Sequence, residues 1–162
     1  MGSAHPEVQS RYVEANGQTL HYTQWSESGP PLIFLHGVTS SSTSWDLIAP
    51  HFTAQYRVMI FDLRGHGRSS KPRRGYTWVD HYGADLVDVI NHHLGEQVIV
   101  VGHSLGAVVS VPIAVGAPDK VCASSWKTRQ PLRLRNAPTT PVTGSRPSWR
   151  SSVCPRSCGL PE

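Results

Sequence analysis

One pentapeptide constrains this chain more than any other stretch: Gly102-His103-Ser104-Leu105-Gly106. It follows Val98–Val101, a short β-branched run with the pattern of a strand buried on both faces. It precedes Ala107–Val115, small and apolar, which predicts a buried helix. A serine in G-x-S-x-G between strand and helix has to stand at the tip of a sharp turn with its hydroxyl free. Gly102 and Gly106 are placed so that no Cβ blocks that turn from either side. The helix behind directs its first N–H groups and its dipole at the same point, which suits a developing oxyanion. Ser104 is therefore a candidate nucleophile. A serine hydroxyl is weak at neutral pH, so it needs a base, usually a histidine oriented by a carboxylate.

Two further stretches stand in order before it. Leu32-Ile33-Phe34-Leu35-His36-Gly37 reads as an apolar strand running into His-Gly, and Phe61-Asp62-Leu63-Arg64-Gly65-His66-Gly67-Arg68-Ser69 as a strand end running into a D-x-R-G-x-G-x-S loop. With these motifs the chain resembles the α/β-hydrolase family, from about Tyr12 to Val121. The resemblance implies an α/β fold: the N-terminal half of the hydrolase core, a β-hairpin followed by parallel strands with helices. It implies Ser104 as nucleophile and the N–H groups of Val38 and Leu105 as the oxyanion hole. His36, Gly37, Gly102, His103 and Gly106 are then supporting motif residues. His36, His103 and His66 are expected to pack and hydrogen-bond around the loops rather than act as bases. The substrate implied is a small ester or other acyl compound, with no cofactor and no metal. Serine at the elbow argues against epoxide hydrolases and haloalkane dehalogenases, which are similar in other motifs but place aspartate there. Asp62 is expected in an ion pair or turn with Arg64 or Arg68. Trp45, Phe52, Trp78 and Tyr82 are candidates for lining an acyl pocket, with ordinary core packing as the competing reading.

The remaining elements follow from periodicity and turn chemistry. Tyr12–Glu14 and Thr19–Tyr22 flank Asn16-Gly17, a strong hairpin signal. Ser44 is placed to cap a helix over Trp45–Phe52. Arg57–Phe61 is a second apolar strand. Thr77–Leu94 predicts a helix with Val79, Tyr82, Leu86, Val89, Ile90 and Leu94 on one stripe, closed by Gly95. Strands alternating with helices imply a parallel sheet.

The net charge of +4 over 162 residues conceals two unlike parts. Residues 1–121 carry 8 Lys+Arg against 10 Asp+Glu and no cysteine; residues 122–162 carry 7 against one acid, all three cysteines and 6 of the 13 prolines. The domain division is accordingly 1–121, a truncated hydrolase core, and 122–162, a basic tail expected to be disordered because it has too little apolar content to offset its ordering entropy. Cys122–Gln130 shows no strand pattern where the family has one. A frameshift near Val121 accounts for this. With TCN serine codons, reading Val-Cys-Ala-Ser-Ser-Trp-Lys-Thr from each codon's third base gives apolar, Arg or Cys, three apolar, Glu, and Asp or Asn. That is a strand with an acid at its end.

No histidine follows Ser104, and the only later acids are Asp119 and Glu162. The expected order of nucleophile, acid and histidine is thus unfilled, and the chain is expected to be inactive. Without later strands, Val98–Val101 is expected to be an exposed edge prone to aggregation. The alternative is a non-catalytic binding module working through the basic tail. That tail lacks interleaved aromatics, so no nucleic-acid partner is expected, and Cys154-x-x-x-Cys158 lacks a second ligand pair for a metal. Residues 1–10 have no apolar signal core and no run reaches membrane-spanning length, so a cytoplasmic location without membrane association is expected. The pattern leaves the oligomeric state open.

Overall fold

The computed structural model describes residues 8–127, with side-chain surroundings up to Val121. Six strands form one sheet in the order β1-β2-β4-β3-β5-β6. They are β1 (Gln9–Ala15), β2 (Gln18–Gln24), β3 (Pro31–Leu35), β4 (Arg57–Phe61), β5 (Val98–His103) and β6 (Val121–Lys127). β1 and β2 are an antiparallel hairpin, and β2 joins β4 antiparallel. β4, β3, β5 and β6 are mutually parallel. Asn16 (φ 47°) and Gly17 (φ 68°) both take left-handed backbone at the hairpin turn, the geometry that Asn-Gly favours.

The central strands alternate between two apolar faces, which is why their sequences read as unbroken apolar runs. Ile33, Leu35, Met59, Phe61, Val98 and Val100 face one side. Leu32, Phe34, Val58 and Ile60 face the other, under Ala49 and Trp45. Three consecutive helical segments, Trp78–Gly83, Ala84–Asp88 and Val89–Leu94, make up α1, the first and last wound as π-helix. α1 and α2 (Leu105–Gly116) cover the first face through Tyr82, Leu86, Val89, Ile90, Val109 and Ile113. Gly83 lets them approach: a Cβ there would come within 2.8 Å of Pro112. Gly95 ends α1 in left-handed backbone at φ 68°.

Three expectations change. Val79, placed on the α1 stripe by periodicity, is exposed, because it lies in the π-wound first segment, where the angular step per residue departs from that of an α-helix. The helix over Trp45–Phe52 is instead two 3-10 turns, Ser42–Trp45 and Ala49–His51. Ser44 lies inside the first and donates its hydroxyl to the Ser41 carbonyl rather than capping. Most consequentially, residues 122–127 are strand. The proposed boundary at 121 falls inside the sheet, because β6 pairs in parallel with β5 from Val98↔Val121 to His103↔Lys127, with an irregularity after Val98. The open ladder edge of β5 supplies this strand with hydrogen-bond partners that its own composition does not announce. The exposed β5 edge, and with it the premise for aggregation, is removed. The expectation of disorder over 128–162 and the Cys154–Cys158 reading lie outside the described residues.

Candidate active site

The site forms where β3 and β5 end beside each other. Ser104 sits between β5 and α2 at φ 52°, ψ −109°. Asn16 is the only other non-glycine residue with positive φ among those described. Such a backbone costs on the order of 1–3 kcal/mol and persists only where its surroundings enforce it. The enforcement is close packing on both sides. A Cβ on Gly102 would lie 2.3 Å from the backbone of Gly106, and one on Gly106 would lie 2.4 Å from the Leu35 carbonyl oxygen. The Gly106 N–H donates to the His36 carbonyl at 3.0 Å, tying the start of α2 to the end of β3.

Gly37 brings the loop after β3 against the elbow. A Cβ on it would lie 3.1 Å from His103 Nδ1 and 3.4 Å from Ser104 Cβ. Neither the Val38 N–H nor the Leu105 N–H has a hydrogen-bond partner among the described residues. A cavity of about 530 Å³ opens here, lined by Gly37, Val38, Thr39, Ser40, Ser44, Trp45, Ile48, His103 and Ser104. Of the aromatic candidates only Trp45 lines it. Phe52 packs on Phe34 at 5.8 Å between ring centroids, Tyr82 is in the core, and Trp78 is exposed.

The three motif histidines divide sharply. His36 is fully buried: its Nδ1–H donates to the Gly37 carbonyl (2.7 Å) and its Nε2 accepts from the Leu63 N–H (3.0 Å). That pair of bonds fixes a neutral tautomer. Burial lowers its pKa, against the raising effect of the Gly37 bond. His66 is half-buried and faces carbonyls with both nitrogens, Arg64 from Nδ1 (2.9 Å) and Val38 from Nε2 (2.6 Å). His103 is exposed, and its ring packs against Gly37 without a hydrogen bond among the described residues.

Asp62 is buried beneath this loop and serves several segments at once. Its carboxylate accepts from the N–H groups of Ser42 (2.6 Å) and Arg68 (2.9 Å) and from His21 Nδ1 (2.8 Å). Burial pushes its pKa up, but the donors of Arg68, Ser42 and His21 outweigh that and hold the carboxyl below its ordinary range. The carboxylate occupies the space of a Gly67 side chain, whose Cβ would lie 2.1 Å from Oδ2. The turn role with Arg68 is thus made by backbone. The Arg64 guanidinium pairs instead with buried Asp85, through Nε at 2.6 Å and through Nη2, and donates Nη1 to the Gly75 carbonyl.

Sequence reading missed His21, Asp85 and the second role of Asn16. Asn16 Nδ2 donates to Asp85 and its N–H to Asp88, so the hairpin turn docks on α1. His21, in the middle of β2, bridges Asp62 and Ser10. A lone histidine in a strand gives no local sign of this. The described residues contain no cluster of three or more His, Cys, Asp or Glu side chains able to hold a metal.

A mixed sheet with a parallel core covered on both faces, and a serine in left-handed backbone at a strand–helix junction, define an α/β-hydrolase architecture. The alpha/beta hydrolase family model matches residues 32–160, and the chain belongs to that family. The match runs past Val121, where the motif-based resemblance ends. The chain is 38% identical to 2-(acetamidomethylene)succinate hydrolase of Mesorhizobium japonicum over 112 residues, 69% of this chain and 40% of that protein. It is 35% identical to epoxide hydrolase B of Mycobacterium tuberculosis over 147 residues, 85% of this chain and 41% of that protein. An epoxide hydrolase from Vigna radiata superposes with a TM-score of 0.70 at 32% identity, covering 78% of this chain and 39% of its own. These relatives are hydrolases, and this chain spans about two fifths of the length of each.

Proposed function

We propose that Ser104 is the nucleophile of a serine hydrolase for small esters or related acyl compounds, and that this chain alone supplies the nucleophile and oxyanion side of the site without the base. The observation that carries this is the strained Ser104 backbone set against the Gly37–Val38 loop, with the Val38 and Leu105 N–H groups lacking a hydrogen-bond partner among the described residues. In the proposed reaction Ser104 Oγ attacks the acyl carbonyl carbon. The carbonyl oxygen, taking up the electron pair, is held by the N–H groups of Val38 and Leu105. The alcohol leaves with a proton from the general acid, and water then releases the acyl group from the serine ester.

The proton is the missing part. His36 is sealed and bonded through both nitrogens, so it is not free to take the proton of Ser104. His66 is committed to two carbonyls, and Asp62 is committed to the loop. Opening an epoxide through Ser104 would leave an ether that water does not cleave. A carboxylate nucleophile leaves a hydrolysable ester, and serine therefore favours acyl chemistry over the reaction named for the epoxide-hydrolase relatives. We place the protein in the cytoplasm, where its cysteine-free body needs no oxidising compartment; among the described residues no helix is long and apolar enough to cross a membrane. The frame shift near Val121 remains our account of the basic tail.

The test uses a fluorophosphonate and a series of p-nitrophenyl esters. Without a base we expect only slow labelling, mapped to Ser104 and lost in Ser104→Ala, and no turnover of the esters. Ser104-dependent multiple turnover would overturn the missing base. A folded chain labelled at another serine in preference to Ser104 would overturn the nucleophile.

A further inference from the structure

The two histidines that contact the carbonyls of Gly37 and Val38 support an inference that rests on the serine-hydrolase reading and concerns how its oxyanion loop is held. Val38 is flanked by two peptide groups. The carbonyl of the first, Gly37, accepts from His36 Nδ1 and from the Ser40 N–H (3.1 Å). The carbonyl of the second, Val38, faces His66 Nε2 at 2.6 Å. No peptide bond in the described chain is cis. In a trans peptide the N–H is antiparallel to the C=O, so anchoring the Gly37 carbonyl directs the Val38 N–H away from the His36 ring. Anchoring the Val38 carbonyl fixes the other side of the same Cα. The loop that presents the proposed oxyanion donor is thus clamped by one histidine on each side.

The two clamps differ in their proton requirement. His36 accepts at Nε2 and donates at Nδ1, which a neutral ring satisfies. His66 has a carbonyl oxygen at each nitrogen, 2.9 and 2.6 Å away. A neutral imidazole has one N–H and one lone pair, and a lone pair turned on a carbonyl oxygen at that distance is repelled. Both bonds form only when the ring carries both protons. We propose that His66 is a positioning residue for the oxyanion loop and holds it as the imidazolium, so that the geometry of the Val38 donor depends on the protonation of a side chain that never touches substrate.

The groups around His66 are consistent with a single local switch. His36, with its ring centroid 5.0 Å away, is held neutral by its own bonds. Tyr82 approaches from α1 at 6.5 Å. Asp62, at the end of β4, is an acceptor for three donors of its own. The charge of Arg64 is matched by Asp85.

The experiment is a pH titration of the full chain by nitrogen-15 NMR, reading ring and amide signals together, in wild type and in His66→Gln. Glutamine keeps one N–H for the Val38 carbonyl but cannot titrate. We expect two ring N–H groups on His66 at the acidic end, and amide signals of Val38 and Ser40 that move with the same midpoint. In His66→Gln that step vanishes from both amides. The ratio of wild-type to His66→Gln fluorophosphonate labelling rates is expected to fall about ten-fold across that midpoint, less than the roughly hundred-fold cost of losing an oxyanion donor outright. A His66 ring with a single N–H throughout, or one that titrates while Val38 and Ser40 stay still, overturns the proposal. If another serine labels in preference to Ser104 in both proteins, the hydrolase reading fails, while the ring and amide titrations still decide the clamp.

Discussion

Removing the Asp62 carboxylate should be among the most damaging single changes outside the elbow. Asp62→Ala leaves three donors without their acceptor: the N–H groups of Ser42 and Arg68 and His21 Nδ1. The bonds to Ser42 and His21 are buried, and water cannot easily replace the oxygen; the Arg68 N–H is only partly buried. A dry orphaned donor costs about 1–3 kcal/mol, so the two buried donors together cost about 2–6 kcal/mol. A loss of about 4 kcal/mol is a large share of the roughly 5–15 kcal/mol that holds a domain together. With a urea slope near 2 kcal/mol per molar, the unfolding midpoint should drop by about 2 M. Urea titration at pH 7, followed by far-ultraviolet circular dichroism and tryptophan fluorescence, measures it. Asp62→Asn keeps one carbonyl acceptor and should lose clearly less. The pH dependence adds an independent check. The Asp62 pKa is depressed on folding, so its contribution is fully present above the ordinary aspartate value of about 3.9 and is lost as pH falls through the folded value. That acid limb should flatten in Asp62→Ala. A midpoint shift below about 0.3 M with an unchanged slope would refute the reasoning.

Other outcomes follow from the same geometry. Ser104→Gly should abolish fluorophosphonate labelling while raising stability by about 1 kcal/mol, because glycine accepts φ 52° without strain; thermal melting reads the second effect. Gly106→Ala should destabilise by about 1–3 kcal/mol, since its Cβ would meet the Leu35 carbonyl at 2.4 Å and backbone there cannot step aside. The His36 pKa is depressed on folding, so the unfolded chain binds its proton first as pH falls below about 6.5. Stability should decline from that point, and the decline should be shallower in His36→Asn when urea midpoints are compared across pH. Sequencing the coding DNA past Val121 in three frames should reveal a second frame continuing with strand–helix alternation, an acid and a histidine; its absence would make the tail genuine.

Residue pattern alone located the architecture because its signals are local. The apolar runs at Leu32–Leu35, Arg57–Phe61 and Val98–Val101 became β3, β4 and β5, since a strand covered on both faces favours apolar side chains along its length. Asn16-Gly17 turned the hairpin, and Gly102 and Gly106 marked the elbow, because positive φ and close backbone approach leave few residue types able to serve. The short helix over Trp45–Phe52 was misread because Ser44 had the right identity for a cap but bonded backward to Ser41. β6 was missed for a different reason: its stabilisation comes from the unfilled edge of β5, which no window over residues 121–127 contains.

The sequence by itself determined the order of the elements, the strained position of Ser104 and the glycines that permit it, since each depends on a few adjacent side chains and on backbone sterics. It also determined that no histidine follows Ser104. Only the tertiary structure decided what the other charged and titratable groups do. Asp62 joined β2, the loop after β3 and the loop after β4; Arg64 reached Asp85 across 21 residues; His36 and His66 divided the two carbonyls around Val38 between them. Partners so far apart in the chain leave no periodicity to read. They are chosen by burial, which makes a lone polar group too costly to leave unpaired and so selects whichever donors and acceptors the folded backbone brings within reach.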